Sequence, residues 1–235
     1  MVSGLVVRVV GAVVAGALLL SGCGSGEDPP AASGSASGSA SAPASPASTG
    51  TPSSGTSAEA TRRATSATTK ALLPSAAFTK IGMDVVDKPR TDKWDWFETC
   101  RPSLPSESRQ VVGTNGKWEK DGLVVSQTVV AYPDGVAEDV VAEVAKAVTC
   151  STYTANGHEY SKVKAIDLPK VDSADAKHAW CMVEAKEDVT TCHSVIAGQD
   201  LVSSLWAMSG DADDARDALA VLTVLASERI VTQIG

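Results

Sequence analysis

Cysteine carries the most informative chemistry in this sequence of 235 residues. The five cysteines are Cys23, Cys100, Cys150, Cys181 and Cys192. Without Cys23, which lies far from the others, an even set remains, and an even set outside the reducing cytosol predicts disulfides. A zinc site is the alternative, because His178 and His193 lie near two of the cysteines. No C-x-x-C pair is present, and this absence favours two disulfides.

Other residues typical of catalysis are few. Ser161 and Lys164 fit S-x-x-K, a nucleophile motif of penicillin-binding proteins, but its K-T-G and S-D-N partners are absent from the sequence. The sequence also lacks G-x-S-x-G and H-E-x-x-H. We therefore predict no catalytic residue, no metal site and no cofactor.

The N-terminus has the pattern of an export signal. A lone Arg8 precedes an apolar run, Val9–Leu20, which is shorter than the ~20 residues of a spanning helix. The run ends in Leu20-Ser21-Gly22-Cys23, which resembles the lipobox of bacterial lipoproteins. The resemblance implies removal of a signal peptide at residues 1–22 and diacylation of the Cys23 sulfur. An ordinary signal peptide with an incidental cysteine is the alternative.

Residues 23–70 have the composition of a spacer. The stretch is rich in Ser, Ala, Gly, Thr and Pro and contains no aromatic residue. It buries too little apolar surface to offset the entropy lost on ordering, so we predict a lipid-anchored, disordered linker. A random coil of ~45 residues spans roughly 40 Å on average, which would lift a domain clear of the lipid head groups. The Ser and Thr content also suits O-glycosylation, although a plain spacer is favoured.

The remaining residues, 71–235, suit one domain. The chain has a formal net charge of −8, which argues against a nucleic-acid surface because such surfaces need clustered Lys and Arg. The same charge disfavours electrostatic binding to anionic lipid head groups. We therefore expect acyl groups on Cys23 to hold the protein at the outer face of the cell membrane, in an extracytoplasmic position.

The residue pattern of this domain predicts an α+β fold. Leu123–Tyr132 is rich in strand-forming residues and precedes a valine-faced helix that ends near Thr149. Three further strand-like segments, AWCMVEA, TTCHSVIA and LVSSLWAM, are separated by turn residues, and a final helix covers about Asp211–Val231. We predict an antiparallel β-sheet with helices packed on it, in two β-β-α-like halves with two disulfides.

The turn at Lys186-Glu187 suggests how the cysteines pair. A symmetric hairpin about this turn sets Cys181 opposite Cys192. A two-residue loop would separate their Cα atoms by ~5.5 Å, and a four-residue loop, Ala185–Asp188, would bring them closer. Both distances suit a disulfide. Four cysteines allow three pairings, of which we favour Cys100–Cys150 with Cys181–Cys192.

Several features together resemble the PknH-like extracellular sensor domain, which occurs on actinobacterial Ser/Thr kinases and on secreted lipoproteins. They are a Leu-Leu-Pro start, a Trp-rich segment before Cys100, the passage VVSQTVVAYPDGVAEDVVAEVAKAVTC, a later cysteine pair, a hairpin around Gly198 and a final helix. The resemblance covers about Leu72–Ile230. It implies two disulfides, a central antiparallel sheet with helices, and a cleft for an unidentified ligand. The kinase motifs themselves, a Gly-rich loop, H-R-D and D-F-G, are absent from the sequence.

Two long loops, 90–108 and 151–173, are where we expect a ligand to bind. They lie at the junction of the two halves, and loops carried on a rigid sheet are where binding residues gather. The candidate side chains are Trp94, Trp96, Tyr153, His158 and Tyr160. Aromatic faces with a few hydrogen-bond donors suit a glycan or a lipid head group. For any single tryptophan, core packing is the alternative.

The sequence therefore favours a lipid-anchored, non-catalytic binding or sensor lipoprotein at the cell surface, with an envelope glycan or lipid held in a cleft. A structural or partner-docking lipoprotein, which binds an envelope protein and no small ligand, is the first alternative. A cell-envelope hydrolase with an unrecognised site is the second, and it would need a nucleophile and a base within hydrogen-bonding distance.

Overall fold

A computed structural model describes residues 54–79, 82–100, 103–133, 135–171 and 174–232, so that the predicted signal peptide and Cys23 lie outside the described residues. Within these ranges, eight strands form one sheet: β1 (Asp84–Asp92), β2 (Val112–Lys120), β3 (Leu123–Ala131), β4 (Thr152–Ala155), β5 (His158–Ala165), β6 (Ala176–Glu184), β7 (Val189–Gly198) and β8 (Leu201–Ser209). The helices described are α1 (Ser54–Ala71), α2 (Ser75–Thr79), α3 (Ala137–Ala147) and α4 (Ala212–Thr232), with a 3₁₀ turn at Pro105–Arg109. None of these described helices is both long and apolar enough to cross a membrane.

The strands lie in the order β1-β2-β3-β8-β7-β6-β5-β4, and every neighbouring pair is antiparallel. Two strand-strand-helix units, β2-β3-α3 and β7-β8-α4, are joined where β3 pairs with β8. The predicted α+β fold is therefore confirmed. The sheet extends beyond the strands we predicted, because β1 and the β4–β5 hairpin come from polar segments without a strong strand pattern.

The first face of the sheet, defined by Trp118 and Leu205, carries the larger core. Both side chains are fully buried in a cluster that also contains residues of α1, α2 and α4. Phe78 of α2 stacks on Trp118, with ring centroids 4.0 Å apart. Arg229 of α4 donates its Nε–H to the Leu72 carbonyl at 2.7 Å, so α4 is hydrogen-bonded to the residue that directly follows α1. Three helices therefore cover this face.

Helix α1 corrects the predicted linker. Composition assigned residues 23–70 to a disordered spacer, but residues 54–70 belong to a helix whose second half packs on the first face. Its contact surface is made of small side chains such as Ala67 and Thr68. Thr68 is fully buried, and its hydroxyl lies 2.8 Å from Thr114 Oγ1 of the sheet. Composition missed the helix because Ala and Thr are also typical spacer residues.

The second face of the sheet, on the opposite side, is covered at one end by α3. Val140 and Val144 of α3 are fully buried in a cluster with Val130, Val195 and Val202 of the strands, as the predicted valine face required. A helix of 11 residues is ~16 Å long, whereas a strand of 9 residues is ~30 Å long. Helix α3 therefore covers only part of the second face.

Both predicted disulfides are present, so the four cysteines pair as Cys100–Cys150 and Cys181–Cys192. The second bond joins directly opposite residues of β6 and β7, which are connected by the four-residue loop Ala185–Asp188. Its Cα atoms are 4.0 Å apart, as expected for the closer kind of cross-strand pair. The zinc alternative is wrong, because these sulfur atoms are bonded to each other.

The segment between β1 and β2 has little regular structure and is fixed by side-chain hydrogen bonds. Gln110 accepts the Trp94 N–H at 2.7 Å and donates to the Trp94 carbonyl at 3.1 Å. Glu143 of α3 accepts the Ser106 N–H at 3.0 Å. With the Cys100–Cys150 bond, these contacts hold the segment against α3 and its C-terminal end.

Glu107 lies half buried within this segment. Its Oε2 atom accepts the Leu104 N–H at 3.1 Å. Burial and, to a smaller extent, the nearby Asp95 carboxylate raise the pKa of Glu107 to about 7, while the bond from Leu104 opposes the rise. A proton is therefore bound to or released from Glu107 near neutral pH.

Gly198→Ala should destabilise the domain. Gly198 ends β7 beneath α4, and a Cβ added there would lie 2.3 Å from the Ile230 Cγ2 atom. Ile230 is 1% exposed, and overpacking at such a position lowers the free energy of unfolding by about 1–3 kcal/mol. Gly210→Ala is the matched control, because no atom lies within 4 Å of its added Cβ. Urea unfolding checks the prediction, and equal midpoints for the two variants would contradict it.

The contribution of Glu107 to stability should fall as pH rises towards neutrality. The folded-state pKa of Glu107, about 7, exceeds the ordinary value of 4.5, so the folded state binds this proton more tightly. The resulting stabilisation is fully present below about pH 4.5 and is lost as pH rises through about 7. Glu107→Gln removes the titrating group and should flatten this part of the dependence between about pH 4.5 and 7.

Chemical unfolding of both chains across that pH range provides the measurement. His178 and His193 add a slope of the opposite sign, because burial lowers their pKa values in the folded state, but both chains contain them, so the difference between the two chains isolates Glu107. An unchanged slope in Glu107→Gln would show that another group is responsible.

Candidate functional site

A cavity of about 320 Å³ opens on the second face. Strands β6, β7 and β8 form its floor, the segment 95–99 forms one wall, and the β4–β5 hairpin forms the other. Small-molecule sites have volumes of ~300–1,000 Å³, so this cavity is large enough for a ligand of a few rings. We call it the second-face cavity.

The floor of the second-face cavity consists of two cross-strand rows. The first row is Trp180, His193 and Trp206, which lie directly opposite one another. The second row is Met182, Thr191 and Met208. All six alternate along their strands with residues of the first face, as the two-residue period of a strand requires. The floor is therefore aromatic in one row and offers sulfur and hydroxyl groups in the other.

Trp180 fixes the geometry of the aromatic row. Its ring is parallel to that of His193, with centroids 4.9 Å apart and an interplanar angle of 1°. The His178 ring also stacks on Trp180 at 5.7 Å, and Phe97 meets it edge-on at 6.1 Å. These contacts orient the Trp180 ring and leave it only 1% exposed, so Trp180 supports the floor from within the sheet.

The first wall belongs to the segment held by Cys100–Cys150. Trp96 donates its Nε1–H to the Tyr132 hydroxyl at 3.2 Å, which anchors this wall to the end of β3. Glu98 accepts a hydrogen bond from the Asn156 side chain at 2.9 Å, and this bond connects the first wall to the hairpin. The walls meet at one side of the cavity, where Asp95 and Glu98 both line the surface.

The hairpin wall presents two stacked tyrosines. The ring centroids of Tyr153 and Tyr160 are 4.9 Å apart, and the Tyr153 hydroxyl lies 2.9 Å from the Met182 sulfur. Burial raises the pKa of Tyr153 to about 12 and also raises the pKa of Tyr160. Both phenols therefore stay protonated at neutral pH and retain a donor hydrogen.

The charge of the second-face cavity is acidic. Asp95 and Glu98 contribute carboxylates, and the lining contains no lysine or arginine among the described residues. Burial lowers the pKa of His193 to about 4, so its imidazole is neutral at pH 7. The buried His193 Nε2 and Trp180 Nε1 atoms have no hydrogen-bond partner in the described part of the chain. The cavity thus combines anionic acceptors with neutral aromatic rings.

The lining side chains supply groups that can bind a ligand. Thr191 and Ser204 line the same cavity as His193, but the His193 Nε2 atom bonds to neither hydroxyl. Within the described ranges, no three His, Cys, Asp or Glu side chains are grouped so that they could hold a metal ion. The described side chains can stack on a ligand and accept or donate hydrogen bonds to it.

Three of the five candidate ligand residues line the second-face cavity: Trp96, Tyr153 and Tyr160. Trp94 and His158 are not among the lining residues. Trp94 donates its Nε1–H to the Gly113 carbonyl at 3.2 Å. The His158 side chain is half exposed, and its Nδ1 atom lies 3.0 Å from Glu184 Oε1. The two predicted loops do meet at one site, while these two side chains have other partners.

Sequence reasoning assigned no ligand role to the floor. The relevant signal is the alternation along the strands: Trp180 and Met182 flank the core residue Cys181, and Trp206 and Met208 flank Ala207. A two-residue period separates the faces of one strand. The antiparallel meander expected for these three strands then sets the residues in adjacent rows, as the observed pairing of β6 with β7 and of β7 with β8 confirms.

No protein-family model matches the chain, and no curated protein matches it. Among solved structures, the extracellular domain of PknH from Mycobacterium tuberculosis is 14% identical with a TM-score of 0.50, and the match covers 68% of this chain and 94% of that domain. An uncharacterised protein from Mycobacterium smegmatis, an Rv0999 ortholog, is 12% identical with a TM-score of 0.41 over 66% of this chain and 94% of its own. The chain is therefore distantly similar in fold to the PknH extracellular domain.

Proposed function

We propose that the domain is a non-catalytic, extracytoplasmic binding or sensor module that holds an envelope glycan in the second-face cavity. The observation that carries this proposal is that partly exposed aromatic rings, those of Trp96, Tyr153, Tyr160 and Trp206, line one cavity with two carboxylates. A sugar complements both features, because its C–H faces stack on aromatic rings and its hydroxyls donate to carboxylates.

The charge of the lining favours a neutral ligand. Asp95 and Glu98 would repel a phosphate or carboxylate head group, and Lys117, whose Nζ atom lies 5.8 Å from the Trp206 ring centroid, offsets only one of these two charges. Tyr153 and Tyr160 supply neutral hydrogen-bonding groups. Of the two ligand classes expected from the sequence, a glycan therefore fits better than an anionic lipid head group.

An extracytoplasmic position is supported by the two disulfides, since such bonds persist in oxidising compartments. The fold that the chain shares with an extracellular domain agrees with this position. We also propose that acyl groups on Cys23 anchor the protein at the outer face of the cell membrane, because residues 20–23 fit a lipobox.

Trp206→Ala should weaken glycan binding about tenfold, because it removes a stacking face worth ~0.5–1.5 kcal/mol beyond its buried area. Glu98→Gln should weaken binding as well, since it replaces a charged acceptor by a neutral one of the same shape. His158→Ala is the matched control: its side chain is half exposed and does not line the cavity. Calorimetry with soluble oligosaccharides released from the cell envelope measures the three affinities.

Two results would contradict the glycan proposal. One is that no envelope oligosaccharide binds, and the other is that His158→Ala weakens binding as much as Trp206→Ala does. A protein partner whose binding survives Trp206→Ala would favour the docking alternative.

Cys23→Ala should block lipidation and leave the chain unprocessed or released from the membrane. The reason is that buried acyl chains supply membrane affinity at ~0.8 kcal/mol per CH₂. Mass spectrometry of the N-terminal peptide and membrane fractionation measure the two effects. A Cys23→Ala chain that is still cleaved behind Gly22 and still retained at the membrane would refute the lipobox interpretation.

A further inference from the structure

A second recess lies on the first face, on the other side of the sheet from the second-face cavity. It has a volume of about 520 Å³ and lies between α2, the β2–β3 turn and α4. Its floor reaches core residues, among them Phe78, Met83 and Val125. We call this recess the α4 groove.

One stripe of α4 forms an apolar side of the α4 groove. Val221 is 61% exposed and Leu225 is 41% exposed, and both line the groove. They are four positions apart, so they are neighbours on the helix surface. Isolated exposed apolar side chains are normal, but a contiguous apolar patch that leads into an apolar recess is typical of a binding surface.

The same stripe of α4 begins with charge. Asp214 and Asp217 line the groove one to two turns before Val221, and Asp121 lines it from the β2–β3 turn. Asp213, beside them, pairs with Arg216, whereas neither Asp214 nor Asp217 forms an ion pair within the described residues. The described lining therefore contains three aspartates and one lysine, and its charged end is anionic.

We propose that the α4 groove binds the alkyl chain of an amphiphile whose head group carries an ammonium charge. The apolar floor and the Val221–Leu225 stripe accommodate the chain. The aspartates at the start of α4 lie where the head group leaves the groove, and their charge is complementary to an ammonium group. An anionic head group would be repelled at the same place.

The size of the groove favours an alkyl chain over an amphipathic peptide helix. A helix with its side chains is at least ~10 Å across, so two turns occupy roughly 850 Å³. The groove provides about 520 Å³, so a helix would lie across its mouth and leave the deep apolar floor unfilled. A narrow, flexible chain can instead reach Phe78.

The proposal is tested by calorimetric titration of the predicted mature chain, residues 23–235 with Cys23→Ser, so that neither the apolar signal segment nor acyl groups of the chain itself compete. The probes are decyltrimethylammonium, dodecyltrimethylammonium and dodecyl sulfate, each below the concentration at which it forms micelles. The dodecyl ammonium probe should bind about 15-fold more tightly than the decyl probe, because two more CH₂ groups are buried at ~0.8 kcal/mol each. Dodecyl sulfate should bind at least tenfold more weakly than its ammonium counterpart.

Two pairs of substitutions locate the binding site. Val221→Ser with Leu225→Ser should weaken dodecyl ammonium binding tenfold or more, whereas Val231→Ser should leave it within twofold. Val231 is the matched control, since it is 38% exposed on the same helix but does not line the groove. Asp214→Asn with Asp217→Asn should remove the preference for ammonium over sulfate.

Glu228→Gln is the charge control for the aspartate pair, because Glu228 is exposed on α4 and does not line the groove. If the serine pair lowers the unfolding temperature, the exposed aspartate pair decides the test alone. The proposal is overturned if the dodecyl ammonium probe does not bind, if ammonium and sulfate bind equally, or if the control substitutions weaken binding as much as the groove substitutions do.

Discussion

The pairing of β3 with β8 is the interaction on which the rest of the domain depends. It joins the two strand-strand-helix units into one sheet and sets Ser126 opposite Trp206. A slip of one residue would move Trp206 from the second-face cavity into the first-face core. Gln127 stabilises the correct register: it is fully buried, donates to Ser203 Oγ at 3.0 Å and accepts the Leu73 N–H at 2.7 Å. The buried amide of Gln127 has both hydrogen-bond partners only when β3 is paired with β8 and the chain after α1 is in place.

The parts of the fold that the sequence predicts are those in which a local pattern coincides with burial. Leu123–Tyr132 and the Cys181 hairpin are apolar and buried, so strand propensity and packing favour the same structure. Strand β1 was not predicted, because DVVDKPRTD is charged, contains a proline and forms an exposed edge. Helix α1 was missed for another reason: Thr68 is buried only because Thr114, 46 positions away, lies opposite it.

The candidate site was predicted only in part, because a local sequence pattern marks some of its residues and not others. Trp96 and Tyr153 stand out in the sequence because they lie in polar segments, where an aromatic residue has no local core to join. Trp180 gives no such signal, since a strand tryptophan that lines a cavity and one that fills a core have the same neighbours in sequence. Trp118 is a strand tryptophan that fills the core, and the side chains of Trp118 and Trp180 are both almost completely buried. The order of the strands, which local patterns do not determine, separates the two cases.

The bond between Arg229 and the Leu72 carbonyl spans 157 positions of the sequence and has a consequence for the time course of folding. The first-face core needs α4, the last element described, to meet α1, which ends more than 100 positions before α4 begins. Such non-local closure is intrinsically slow, because loop entropy is lost before the contacts form. The core therefore remains incomplete until α4 has been synthesised. A chain whose core closes this late is incompletely folded during much of its synthesis, which is compatible with crossing a membrane before its disulfides form.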